Sequence, residues 1–132
     1  MATNAGEALR DTDSREDINA ALRTFFRIAD VWGLSADDQI KLLGSPPRST
    51  YFKLKKEGGN LSMDTGERLS YILGIYKALM ILLPTAEAAH SWLRRPNDAP
   101  MFNGKSALDR MLGGQVADLY MVRRYLDAQR GG

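Results

Sequence analysis

Residues 92–112 read WLRRPNDAPMFNGKSALDRML. Trp92 closes a short helical pattern that Pro96 and Asn97 interrupt. Proline has no N–H to donate, and the residue ahead of it avoids the helical region. Leu108, Met111 and Leu112 then recur at helical steps, so a helix restarts after the loop. Between the two, Met101 and Phe102 stand among Pro96, Pro100 and Gly104. A loop that displays two large apolar residues between such punctuators reads as a loop of specified shape.

Working outward, the same helical period fills the rest of the chain. Toward the C-terminus, Gly113 and Gly114 break the restarted helix. Val116, Leu119, Tyr120, Val122, Tyr125 and Leu126 define a last one, which frays from Gln129 to Gly132. Toward the N-terminus, Thr85 caps a helix through Ala88, Ala89 and Trp92. Before it runs a long helix capped by Ser62, apolar at Leu69, Ile72, Leu73, Tyr76, Leu79, Met80 and Leu83, and ended by Pro84. Earlier still, Ser35 and Asp38 open a short helix that Gly44 ends. Ser45-Pro46-Pro47 restarts another as a serine cap with proline in the first turn, and it stops at Gly58-Gly59-Asn60. Two short helices around a tight glycine turn form a helix-turn-helix pattern. A first helix, opened by Ser14 with Asp17 and apolar at Ile18, Leu22, Phe25, Phe26, Ala29 and Trp32, stops at Gly33. No run alternates with period two. The expected fold is all-α: a mobile N-terminal tail over 1–13, a helix-turn-helix-like bundle over 14–84, and a small helical domain over 85–132.

Composition narrows the function. At 44% hydrophobic and 26% charged, the chain can bury a core. A net charge of +2 means that any basic surface comes from clustering. There is no cysteine, which removes disulfides and thiolate metal sites. The first residues carry acids and no apolar run, unlike a signal peptide, and Ile72 to Leu83 is too short to span a bilayer. The expectation is a cytoplasmic protein with no membrane partner.

The candidate DNA surface is the helix after Pro47. Arg48, Lys53, Lys55 and Lys56 face one acid there, Glu57. In a helix-turn-helix the second helix enters the major groove with its early residues at base edges. That placement assigns Arg48, Ser49 and Thr50 to bases, and Lys53 and Lys56 to phosphates, which position the protein without reading sequence. Asp37 and Asp38 on the preceding helix oppose such a contact if they face the backbone.

Nothing reads as catalytic, and neither a metal site nor a cofactor is expected. His90 is the one histidine; without cysteine or a second histidine a zinc triad would need carboxylates at metal spacing, and none cluster that way. Asp109 and Asp118 lie on different helices. The glycine pairs lack the lysine and hydroxyl of a phosphate-binding loop. Exposed apolar residues along two helices predict self-association, as a homodimer or a larger assembly with a partner.

The order Trp92-Leu93, Pro96-Asn97, Phe102-x-Gly104, Ser106-x-Leu108-Asp109, Tyr125-Leu126 and the terminal Arg130-Gly131-Gly132 resembles the toxin-binding domain of the Xre/MbcA/ParS antitoxin family. The resemblance covers the last third of the chain strongly and the helices before it more weakly. It implies an antitoxin whose partner is a RES-domain toxin, a relative of ADP-ribosyltransferases that acts on NAD, neutralised by occlusion of its active site. It assigns toxin binding to Pro96, Asn97, Phe102, Gly104, Lys105, Tyr125, Arg130, Gly131 and Gly132. It also implies operator DNA as a second partner, with autoregulation of the operon. A different reading stays open: a stand-alone transcription regulator whose C-terminal domain is a dimerisation platform.

Overall fold

The structure, a computed structural model, describes the backbone of residues 5–131 and the side chains of residues 15–131. Seven helices fill it: α1 (Ala5–Val31), α2 (Ala36–Leu42), α3 (Arg48–Glu57), α4 (Met63–Leu82), α5 (Ala86–Trp92), α6 (Ala107–Met111) and α7 (Val116–Gln129). A 3-10 turn, Pro100–Phe102, lies between α5 and α6. No strand occurs among the described residues, and the all-α expectation holds. No helix there is long and apolar enough to cross a membrane.

The axis of the molecule is α4. It packs against α1, α5 and α7, so a single apolar stripe would not serve it. Leu69, Ile72, Ile75, Ala78 and Leu79 are all buried, and one continuous core runs from Leu22 on α1 to Leu126 on α7. Two arginines reinforce it. Arg68, 8% exposed, pairs with Asp64 at 2.8 Å and donates to the Gly114 carbonyl at 3.0 Å, tying α4 to the turn before α7. Arg94, just after α5, donates to the carbonyls of Trp32 at 2.7 Å and Gly33 at 3.1 Å. It thereby satisfies the end of α1, where a positive charge also meets the negative pole of the helix. Tyr76 lies between Trp32 and His90 at the same junction. Replacing Arg94 by Met is expected to lower the unfolding free energy by about 1–2 kcal/mol, the scale of a partly exposed charged hydrogen-bond clamp. A urea titration with unchanged slope checks it.

Most of the helix ends lie where the sequence puts them. Ser35, Ser62 and Thr85 each accept from the backbone N–H three residues on, at 3.0, 3.1 and 3.1 Å. Ser106 and Asp109 form a reciprocal capping box. Two starts differ. The first helix begins at Ala5, so Ser14 lies inside it and residues 5–13, expected as a tail, are helical. Ala5, Glu7, Ala8, Leu9 and Arg10 are strong helix formers, and a helix already nucleated by packing propagates through them cheaply. Residues 1–4 are outside the described part. Ser45 does not cap α3. It adopts φ +59° and its N–H closes the end of α2 on the Ile40 carbonyl at 2.9 Å. Pro46, being followed by Pro47, is turned away from the helical region, and Pro47, with φ −54° and ψ 146°, takes the N-cap place, so α3 begins at Arg48.

The helix-turn-helix has its own polar lock. Tyr51 on α3 is fully buried and donates to Gln39 Oε1 at 2.7 Å. Gln39 Nε2 donates in turn to the Leu34 carbonyl at 3.0 Å. One chain of bonds thus joins α3, α2 and the turn after α1. Thr65 Oγ1 adds a bond to the Leu43 carbonyl at 2.8 Å, anchoring the start of α4 on the end of α2.

Candidate functional site

The loop from Leu93 to Ser106 is held by its own backbone. Asn97 N–H donates to the Lys105 carbonyl at 3.0 Å and Gly104 N–H to the Asn97 carbonyl at 3.2 Å, beside a single antiparallel bridge between Pro96 and Ser106. The Asn97 side chain accepts from Ala99 N–H at 2.9 Å, an Asx turn that sets up Pro100. Asn103 and Gly104 both take positive φ, +51° and +79°; the second is the backbone angle expected of Gly104. Arg110 bolts the loop from outside, bonding the Met101 carbonyl at 2.9 Å and Asp118 at 2.8 Å.

Phe102 is not displayed. It is 2% exposed, edge-on to Tyr125 at 5.2 Å and to Trp92 at 6.1 Å, with Trp92 stacked on Tyr125 at 6.3 Å. The ring turns inward because two aromatic partners and the core remove it from water. What residues 96–105 offer outward is Pro96, Asp98, Pro100, Asn103, Gly104 and Lys105, with Asn97, Ala99 and Met101 half-buried. Beside it, an apolar groove of about 250 Å³ runs between Leu79, Leu82, Leu83, Trp92 and Tyr125. A wider polar recess of about 600 Å³ lies between Met101, Lys105, Asp109, Arg110 and Asp118.

Tyr125 therefore joins the loop, but Arg130 does not. With about 100° per residue, positions 123, 127 and 130 share the side of α7 opposite Tyr125. Arg123 and Asp127 pair there at 3.0 Å, with Arg130 3.8 Å from Asp127, around a small cleft that Gly131 closes. Arg123 also lies flat against Gly74 of α4, where any Cβ would overlap its guanidinium. A glycine inside a long helix costs about 1 kcal/mol against alanine, but α4 holds two, Gly66 facing open space and Gly74 facing Arg123, and only the packing tells them apart. Gly132 lies outside the described residues.

On α3 the side chains of Arg48, Ser49, Thr50, Lys53 and Lys56 are all exposed. Arg48 is engaged within the chain. It pairs with Asp37 and lies over the Phe52 ring at 5.5 Å. Phe52 itself, absent from the sequence-derived set, is 48% exposed. Among the described residues, no three histidine, cysteine or acidic side chains group as metal ligands would.

The sequence pattern of the antitoxin Xre/MbcA/ParS C-terminal toxin-binding domain matches residues 78–132, and that of the antitoxin Xre-like helix-turn-helix domain matches residues 18–74. The chain belongs to the Xre/MbcA/ParS antitoxin family. The two spans meet inside α4, which explains why the core is continuous between them. A protein of Sinorhizobium fredii (strain NBRC 101917 / NGR234), named "Uncharacterized protein y4oB", is 66% identical over 115 residues, 87% of this chain and 88% of that one. An antitoxin of this family has a toxin protein as its partner, and the toxin-binding domain is the span 78–132, while the helix-turn-helix domain is the span 18–74.

Proposed function

We propose that this antitoxin neutralises a RES-domain toxin, a protein that consumes NAD in the cytoplasm, by covering its active site. The observation that carries the reading is the preformed surface of residues 96–105. It lies within the span matched as toxin-binding, is locked by backbone bonds and Arg110, and is seated on the Trp92–Phe102–Tyr125 cluster. A rigid loop loses little entropy on docking, so its contacts translate into affinity. In this reading Pro96, Asn97, Gly104, Lys105 and Tyr125 meet the toxin, and Phe102 supports them from beneath. In the same reading Arg130, with the terminal Gly131 and Gly132, reaches the cofactor cleft, where a guanidinium suits a phosphate or carboxylate. The role is occlusion, without chemistry of its own.

The same protein represses its operon in this proposal. Arg48, Ser49 and Thr50 meet base edges, and Lys53 and Lys56 meet phosphates. Met80, Ile81 and Met121 are exposed on α4 and α7 and fit self-association in the complex.

The test is capture of a partner from host lysate by the full chain and by a version ending at Gln129. The full chain is expected to retain a protein whose NAD consumption it inhibits. The shortened chain is expected to inhibit about tenfold less well, the effect of losing one charge-assisted hydrogen bond. Equal inhibition removes the tail from the mechanism. Absence of any NAD-consuming partner, with tight and salt-sensitive promoter binding, replaces the proposal with a stand-alone regulator.

A further inference from the structure

The outward face of α3 is not purely polar. Tyr51 and Leu54 point into the core, so with about 100° per residue the opposite side carries Ser49, Phe52, Lys53 and Lys56. Phe52 stands at the edge of that set nearest Tyr51, whose ring it meets edge-on at 4.9 Å, with 48% of its surface in water. Its neighbours limit what can cover it. Two lysines share its face, and Arg48 lies over its ring at 5.5 Å. An apolar ring framed by cations fits a partner that is anionic at its rim and carries an isolated apolar group at its centre. The major groove of DNA is such a partner, because phosphates line it and the C5-methyl of thymine is the one apolar group on its floor.

We propose that Phe52 reads a thymine methyl in the operator and that Arg48, resting on the Phe52 ring, reads the adjoining base. The proposal rests on the DNA-binding reading given above and adds its sequence preference. Phe52 makes apolar contact with the methyl group, and Lys53 and Lys56 hold the phosphates on either side. Asp37, paired with Arg48 across an exposed gap, keeps the guanidinium over the ring in the free protein. An exposed pair of this kind is weak and releases Arg48 at small cost.

The experiment uses the full chain and duplexes enriched by it from a randomised pool. Each thymidine in the enriched site is replaced singly by deoxyuridine, which removes only the methyl. For the native chain, one thymine in each half-site is expected to lose about fourfold in affinity, the effect of one buried methyl-sized group. Phe52→Ala, which removes the contact in both half-sites, is expected to bind the unmodified site about sixteenfold less well and to lose the distinction between thymine and uracil. Phe52→Leu, which keeps an apolar tip, should retain part of that distinction. Phe52 is half in water, and matched thermal unfolding of the variants confirms intact folds.

The proposal is overturned if an enriched site tolerates uracil everywhere, or if Phe52→Ala keeps the native sensitivity. It is also overturned if Phe52→Ala alters the sedimentation of the free chain and leaves the thymine-to-uracil ratio unchanged, which makes Phe52 a contact between copies. If no duplex binds even at low salt, the DNA reading itself falls and this proposal with it. That outcome is distinct from the others, in which DNA binds and only the reading residue is wrong.

Discussion

Phe102→Ala is expected to lower the unfolding free energy by about 3–5 kcal/mol, the range for truncating a large buried aromatic. The ring is almost fully buried between Trp92 and Tyr125. In a small domain that holds about 5–15 kcal/mol in all, this is a large share. The loss is also directed. Phe102 is the inner anchor of residues 96–105, and Arg110 and the Asn97–Lys105 bond would then hold the loop from outside only. Toxin neutralisation by Phe102→Ala is therefore expected to fall at temperatures where the helices remain folded. Lys105→Ala, at an exposed position, should keep stability within about 0.5 kcal/mol and change neutralisation alone. Chemical denaturation of both variants beside a neutralisation assay checks the pair. Equal stability of Phe102→Ala and the native chain would show that the aromatic cluster is not the seat of the loop.

Tyr51→Ala is the second large effect, again about 3–5 kcal/mol, with the loss falling on the helix-turn-helix. Tyr51 combines a ring packed edge-on against Phe26 at 5.9 Å with a hydroxyl bonded to Gln39. Tyr51→Phe separates the two parts. It keeps the ring and leaves Gln39 Oε1 buried without a donor, at a cost of about 1–3 kcal/mol. The phenol also couples the fold to pH. Burial raises its pKa above the ordinary 10.0, more than the Arg48 charge lowers it, with Asp30 adding to the rise. The unfolded phenol thus ionises at a lower pH than the folded one. The stability this group contributes is complete below pH 10.0 and declines as pH rises toward the folded pKa. Stability measured above that pH should fall less steeply in Tyr51→Phe than in the native chain. Parallel slopes would show that another group governs the alkaline limb.

The helical content and most helix ends were legible from local chemistry. A serine or threonine ahead of an apolar period caps a helix wherever the chain leaves it free to do so, as at Ser35, Ser62 and Thr85. Ser45 carries the same signal and fails, because the proline pair after it forbids a helical turn there. That constraint was also in the sequence, one residue further along. The reach of α1 to Ala5 was underestimated for a related reason: polar residues that suit a tail also suit the continuation of a helix.

The candidate site was legible as a set of residues and not as an arrangement. Phe102, Tyr125 and Arg130 all stand in the toxin-binding pattern. Yet one is the underside of the loop, one is its flank, and one lies across α7 with Arg123 and Asp127. Phe52 stands outside the sequence-derived set; its phase on α3, about 100° from the buried Tyr51 and on the side away from Leu54, leaves it 48% exposed.

By itself, the sequence determined the class of the fold, the order of its helices, the existence of a shaped loop after Trp92 and the family. Each rests on residues close together in the chain, where periodicity, capping and turn chemistry act. The tertiary structure alone decided which long side chains join distant elements: Arg94 to the end of α1, Arg68 to Gly114, Arg123 to Gly74 and Tyr51 to Gln39. These pairings span many residues, and a flexible arginine has no periodic signature. Its partner is fixed by which backbone carbonyl or glycine the packed helices bring within reach.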